Sequence, residues 1–182
     1  AGDGSVHCRA WVRFIYNSNR ANGRCESLQG GTAPLTAELI DGKRIAAEVR
    51  AEVAEGVTQF RSRSGVVPGL AVILAGDDPA STVYVRNKQQ AASEIGMYAD
   101  DIHLPADVEQ DTLLARMAEV NQDDRFHGML VQLPLPSHID KGTVIGATKP
   151  EKDVDGLHPF NMGLLVEGKQ RFVPATPGGI QQ

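Results

Sequence analysis

Cysteine is almost missing. Cys8 and Cys25 are the only two, so the chain beyond residue 25 has no disulfide framework and no thiolate metal site to draw on. Aromatic residues make up 5% of the 182 residues, too few for the stacking platforms that hold single-stranded nucleic acid. Positive charge is also short. The net charge of −5 argues against a broad basic footprint for nucleic acid. No apolar run approaches the roughly 20 residues needed to span a bilayer. His103, His127, His138 and His158 are dispersed without ligand spacing, so no metal is expected. Neither a G-x-S-x-G nucleophile elbow nor a G-x-G-x-x-G dinucleotide turn is present. What is left is a chain long enough for one good-sized domain with its own core.

Residues 1–34 differ from the remainder. They hold four arginines, two acids and no lysine, a net +2 that leaves −7 for the rest. No periodicity is sustained there. The segment reads as a poorly ordered extension of unknown origin, with an organelle transit peptide as the alternative.

The pattern becomes regular from residue 35, and residues 35–175 read as one α/β domain. Glu38-Leu39-Ile40 is a short strand candidate closed by Asp41-Gly42. Ile45, Val49, Val53, Val57 and Phe60 recur at steps of four or three, which predicts a helix over about 43–63. Leu70 to Ala75 is a continuous apolar run, the mark of a strand covered on both faces. A helix follows to about Gly96, with Asp78 or Ser81 as its cap. A strand over 97–104 and a helix over about 108–121 come next. Gly128 to Leu133 is a second buried strand, apolar except for Gln132, and Pro134 and Pro136 force an extended exit. A short helix over 141–147 is weakened by Gly142 and Gly146. Residues 152–156 read as an extended segment and turn, and 161–166 as a brief helix. Thr176-Pro177 reads as a further helix start, with Thr176 as cap and Pro177 at the first position. Strands alternating with helices predict an α/β fold: a mostly parallel sheet with helices on both faces.

Three places break local rules. Tyr84 and Lys88 are four apart and share a helix face near the carboxyl end of a buried strand, where open α/β sheets bind ligands. Gln132 is an amide in an apolar strand, and leaving it unpaired would cost on the order of 1–3 kcal/mol. Asp153 and Asp155 flank Val154. In a regular strand both would share one face, whereas the turn at Gly156 leaves either of them free to serve as a turn cap. An inward lysine could act as acid or base, with the glutamine orienting it.

These residues sit in familiar motifs. Gly76-Asp77-Asp78-Pro79-Ala80-Ser81 leading to Tyr84-Val85-x-x-Lys88 resembles one signature of the bifunctional methylenetetrahydrofolate dehydrogenase/methenyltetrahydrofolate cyclohydrolase family. Gly128 to Pro136 resembles a second. Pro150 to Gly156 with His158-Pro159-x-Asn161-x-Gly163 resembles a third, and Pro174-Ala175-Thr176-Pro177-x-Gly179 a fourth. The resemblance runs from about Leu39 to Gln182. It implies the folate-binding domain of an enzyme that oxidises 5,10-methylenetetrahydrofolate and hydrolyses the methenyl product to the 10-formyl form. It also implies roles: Lys88 as the central catalytic residue, Gln132 as its holder, and Asp155 as the pterin-gripping carboxylate. Tyr84 would stack on the folate rings, Ser81 would support the lysine, and Val131 and Leu133 would line the site. Thr176 would approach a nicotinamide cofactor from the hinge side. That cofactor, NADP with NAD as the alternative, would be bound mainly by a Rossmann domain that this sequence does not include; residues 176–182 read as the start of the connecting helix.

The expected partners are tetrahydrofolate derivatives, with no nucleic acid and no membrane. Family members usually form homodimers, and a monomer is expected here because that pairing uses the nucleotide domain. A cytoplasmic location is expected, mitochondrial if the N-terminal segment is a transit peptide. Two other readings stand beside this one: a folate- or pterin-binding module without turnover, and a generic α/β enzyme using Lys88 as a Schiff base.

Overall fold

A computed structural model describes residues 41–180. The 1–34 segment with Cys8 and Cys25, the strand candidate Glu38–Ile40, and Gln181 and Gln182 lie outside them.

Helix α1 spans Gly42–Ser64. Asp41 caps it by accepting the N–H groups of Lys43 and Arg44, and Gly65 ends it in the left-handed conformation that a residue without a Cβ adopts freely. Strand β1 (Gly69–Ala75) leads into α2 (Pro79–Glu94), and β2 (Tyr98–Leu104) into α3 (Gln110–Gln122). Strand β3 (Gly128–Val131) is followed by α4 (Lys141–Ala147), α5 (Pro159–Val166) and α6 (Ala175–Ile180).

The sheet has the order β2-β1-β3, and both pairings are parallel. Asp153 adds a single parallel bridge beside Met129 on the outer side of β3. The middle strand alternates as a strand covered on both sides must. Ala71, Ile73 and Ala75 join Leu113, Met117 and Val120 of α3 and Val144 of α4 in the larger core. Val72 and Leu74 face the other way, toward Val85 of α2 and Leu130. Helices therefore cover both faces, as the alternating pattern predicts. Among the described residues, no helix is long and apolar enough to cross a membrane.

Several boundaries move, each for a local reason. Asp78, not Ser81, caps α2, which lets Pro79 occupy the first position, where its missing N–H costs nothing. Met97 belongs to the turn before β2, its N–H bonded to Ala92 O. Val108 donates to Pro105 O in a turn, so α3 starts two residues late. Strand β3 stops at Val131: Gln132 N–H still reaches Ile73 O at 2.8 Å, but Pro134 offers no N–H to carry the ladder on. The Leu133–Pro134 peptide is cis. Helix α4 forms despite its two glycines because Asp140 Oδ1 accepts both the N–H and the hydroxyl of Thr143, while Asn121 receives the far end through Ala147 O and Lys149 N–H. Helix α5 begins at Pro159, capped by His158 Nδ1 on the Phe160 N–H. Helix α6 begins at Ala175, so Thr176 lies inside it and is not its cap. The segment over 152–156 keeps only the Asp153 bridge and then turns.

Candidate active site

Four of the helix-facing positions in α2 explain how Lys88 reaches the sheet. Ser81, Val85 and Ala92 are buried and Lys88 is half-buried. Their steps of four, three and four make one stripe on an α-helix, so the lysine stands on the face turned to the core. Its amine donates to Gln132 Oε1 at 3.1 Å. The amide is itself held: Gln132 Nε2 donates to Leu133 O at 2.7 Å. With the amide nitrogen engaged on the backbone, its oxygen is left to face the lysine. This bond spans 44 residues of sequence, and it ties α2 to the carboxyl end of β3.

Asp155 lies on the turn after the Asp153 bridge. It shares a recess with Val131, Leu133, Thr148 and Leu157. Burial pushes its carboxyl above the ordinary carboxylate range; the Lys88 charge pulls it back down, and the Asp153 charge adds to the rise. Lys88 is thus within electrostatic reach of Asp155. The structure brings together Lys88, Gln132, Asp155, Val131 and Leu133 at the carboxyl ends of β1 and β3. Tyr84 sits one turn before Lys88, with 61% of its surface exposed. Ser81 is buried at the start of the stripe, its N–H and hydroxyl both engaged on Asp78, whose carboxyl these bonds hold below its ordinary range. Thr176 is exposed on α6.

The two aspartates of the third motif differ in what they bond. Both border the one recess, as their spacing allows, but only Asp153 is tied up by the turn that follows. Its carboxylate is buried and accepts three donors: Leu157 N–H at 3.2 Å, His158 N–H at 2.9 Å and Asn161 Nδ2 at 2.8 Å. Asn161 is fully buried, and sequence reasoning gave it no part in the site. The signal was present: an amide in an otherwise apolar helix, Pro159-Phe160-Asn161-Met162-Gly163-Leu164-Leu165-Val166, needs partners just as Gln132 does. A larger hollow, about 490 Å³, lies between the far side of α2 and the start of β2, lined by Arg86, Gln90 and Tyr98 among others. It contains none of the candidate residues.

The family model described as tetrahydrofolate dehydrogenase/cyclohydrolase, catalytic domain, matches residues 40–155. The chain belongs to this family. Among curated relatives, it is 53% identical over 145 residues to the bifunctional protein FolD of Moorella thermoacetica, covering 80% of this chain and 51% of that one. It is 48% identical over 145 residues to the protein of the same name from Streptococcus pneumoniae serotype 4, with the same coverage of each. Among solved structures, it resembles the bifunctional FolD enzyme of Campylobacter jejuni, with a TM-score of 0.74 and 44% identity over 78% of this chain and 50% of that one. It also resembles the Trypanosoma brucei FolD solved with NADP and an inhibitor, with a TM-score of 0.77 and 38% identity over 80% of this chain and 50% of that one. The chain spans about half the length of the curated family members it matches.

Proposed function

We propose that this chain is the folate-binding catalytic half of a bifunctional methylenetetrahydrofolate dehydrogenase/methenyltetrahydrofolate cyclohydrolase. One observation carries the reading: an amine on the core-facing stripe of α2 is held by an amide at the end of β3, beside a half-buried carboxyl on the next turn. A pterin edge presents paired N–H donors, which one carboxylate can accept together, and Asp155 takes that part. Tyr84 stacks on the ring system. Val131 and Leu133 line the recess beneath it. In the hydrolytic step, water adds to the methenyl carbon, one ring C–N bond breaks, the formyl group stays on N10, and one proton is released. Lys88 moves that proton, and Gln132 keeps the amine where it must be to do so. Ser81 supports the lysine through their shared helix stripe.

A nicotinamide cofactor, NADP with NAD as the alternative, would supply the hydride acceptor for the oxidation. The described residues do not fit its phosphates. The N-terminus of α2 is where an open α/β sheet offers N–H groups to a phosphate, and here the Asp78 carboxylate fills that place. Thr176 is assigned the hinge-side contact. A cytoplasmic location, tetrahydrofolate derivatives as the ligands, and self-association through a nucleotide domain belong to the same proposal.

A second reading, a folate-binding module without turnover, is favoured by the exposure of Tyr84, which leaves the site open on one side. Mixing the chain with 5,10-methenyltetrahydrofolate and following loss of the methenyl absorbance separates the two. Slow hydrolysis above the buffer rate is expected, absent in Lys88→Met. Equal rates with and without the substitution would remove the catalytic reading.

A further inference from the structure

The carboxylate that the proposed site uses sits on a turn, and the turn has its own internal lock. Asp153 is anchored to the sheet through its bridge to Met129 and is 5% exposed. Its two oxygens meet donors only: Leu157 N–H on Oδ1, and His158 N–H with Asn161 Nδ2 on Oδ2. Asn161 Nδ2 also donates to Pro150 O at 2.9 Å. One side-chain pair thus closes the stretch from residue 150 to residue 161 on itself. Asn161 Oδ1 is buried and has no partner among the described residues. A buried acceptor left unmade is costly, on the order of 1–3 kcal/mol, so the amide is placed for its donors. Gly156 holds φ at +65°, and a Cβ there would press at 3.3 Å on both Phe172 Cβ and Pro174 N, so the turn is also packed from outside. Asp155 takes part in none of these bonds.

We propose that Asp153 and Asn161 form a positioning pair whose task is to fix the Val154-Asp155 turn so that Asp155 faces Lys88. The consequence for ligand binding rests on the reading of Asp155 as the pterin-facing carboxylate; the positioning itself does not. An acceptor-only group is required at position 153, because an amide there would turn an NH₂ toward N–H donors. A donor is required at position 161, because a carboxylate there would face both Asp153 and a carbonyl oxygen.

The test is a carbon-13 carboxyl NMR titration of Asp155 in the full 182-residue chain, assigned by comparison with Asp155→Asn and repeated in Asn161→Ser. The serine variant carries no charge change and removes the amide that serves both Asp153 Oδ2 and Pro150 O. A parallel titration of the Asp153 carboxyl separates a change in its charge from altered placement of Asp155, whose surroundings also include the Lys88 charge. The Asp155 midpoint is expected to fall by at least about half a pH unit as the turn loosens and its burial lessens. An unchanged midpoint in a folded variant overturns the proposal and leaves the pair a merely structural contact. If Asn161→Ser does not fold, Asn161→Ala, which removes both donations without adding bulk, is read in the same way. Tetrahydrofolate binding is measured alongside and is expected to weaken at least about fivefold, since placement errors are costly at such sites. A shifted midpoint with unchanged affinity supports the positioning pair and overturns the pterin role of Asp155.

Discussion

The two faces of the sheet are built to different ends. The face under α3 and α4 is a closed apolar layer in which Ile73, Leu113, Met117, Met129 and Val144 are all but sealed from water. The face under α2 is thin: Val72, Leu74, Val85 and Leu130 form its buried set, and the same helix stripe carries a lysine. Burial on the first face supplies most of the apolar driving force. The second gives up some of that area to hold an amine and an amide in reach of one another. The division suggests that stability and the Lys88–Gln132 pair can be changed separately, because they lie on opposite faces of the sheet, while the Asp155 recess also touches Met129 and Val144 of the closed layer.

The largest expected effect tests the closed face. Leu113→Ala should cost about 2–5 kcal/mol of stability in denaturant unfolding, through lost transfer energy and a cavity that collapses only in part. Among variants that still fold, the Lys88–Gln132 contact should persist. If Leu113→Ala instead abolished folate binding in a folded chain, the separation of the faces would be wrong.

Gly128→Ala comes next and probes the seam between the faces. A Cβ there would fall 2.5 Å from Val154 Cγ1, within the turn that carries Asp155. A loss of about 1–3 kcal/mol is expected from overpacking, together with weaker folate binding. Stability loss with full affinity would mean that the turn tolerates displacement.

Lys88→Met should remove hydrolysis while changing stability by less than about 1 kcal/mol, since a half-buried lysine exchanges one hydrogen bond for apolar contact. Thermal unfolding of the two chains side by side checks it.

The smallest effect concerns Asp155 and has an unusual sign. Its carboxyl is raised in the folded chain, so the folded state holds the proton more tightly than the unfolded state does. Stability therefore falls as pH rises from the ordinary carboxylate range through the raised value, and the ionised group is a burden at neutral pH. Asp155→Asn should raise the thermal midpoint slightly at pH 7, with the gain shrinking as the solution is acidified. A loss of stability at pH 7 would show that attraction to Lys88 outweighs burial. Asp78, Asp123 and Asp140 behave in the opposite sense: each is held below its ordinary value by hydrogen bonds, and its contribution is lost as pH falls through that lowered value.

The layer order of the fold could be read from the chain because the signals were continuous. The apolar run Leu70 to Ala75 can only be a strand covered on both faces, and the alternation with amphipathic helices leaves few other arrangements. Lys88 and Gln132 stood out because each breaks a pattern. Asp153 and Asp155 could not be told apart, since spacing brings both to one recess and cannot say which of them meets the backbone N–H groups of the following turn. Asn161 escaped notice because its partners are a carbonyl and a carboxylate 11 and 8 residues away, set by the path of a loop and by no periodicity. One helix start shifted where a side-chain cap, His158, overrode weak propensity, whereas the Asp140-capped helix keeps its expected ends.

The single bond from Met129 N–H to Lys152 O, 2.7 Å long, has a bearing on motion. A full fourth strand beside β3 could be released only by peeling away a row of ladder bonds. A lone bridge can open and close without disturbing β1 or β3. Amide hydrogens at residues 153–158 should therefore exchange with solvent faster than those of β1, giving the carboxylate-bearing turn an opening frequency of its own. A ligand gripped by Asp155 should slow that exchange and leave the sheet's rates where they were.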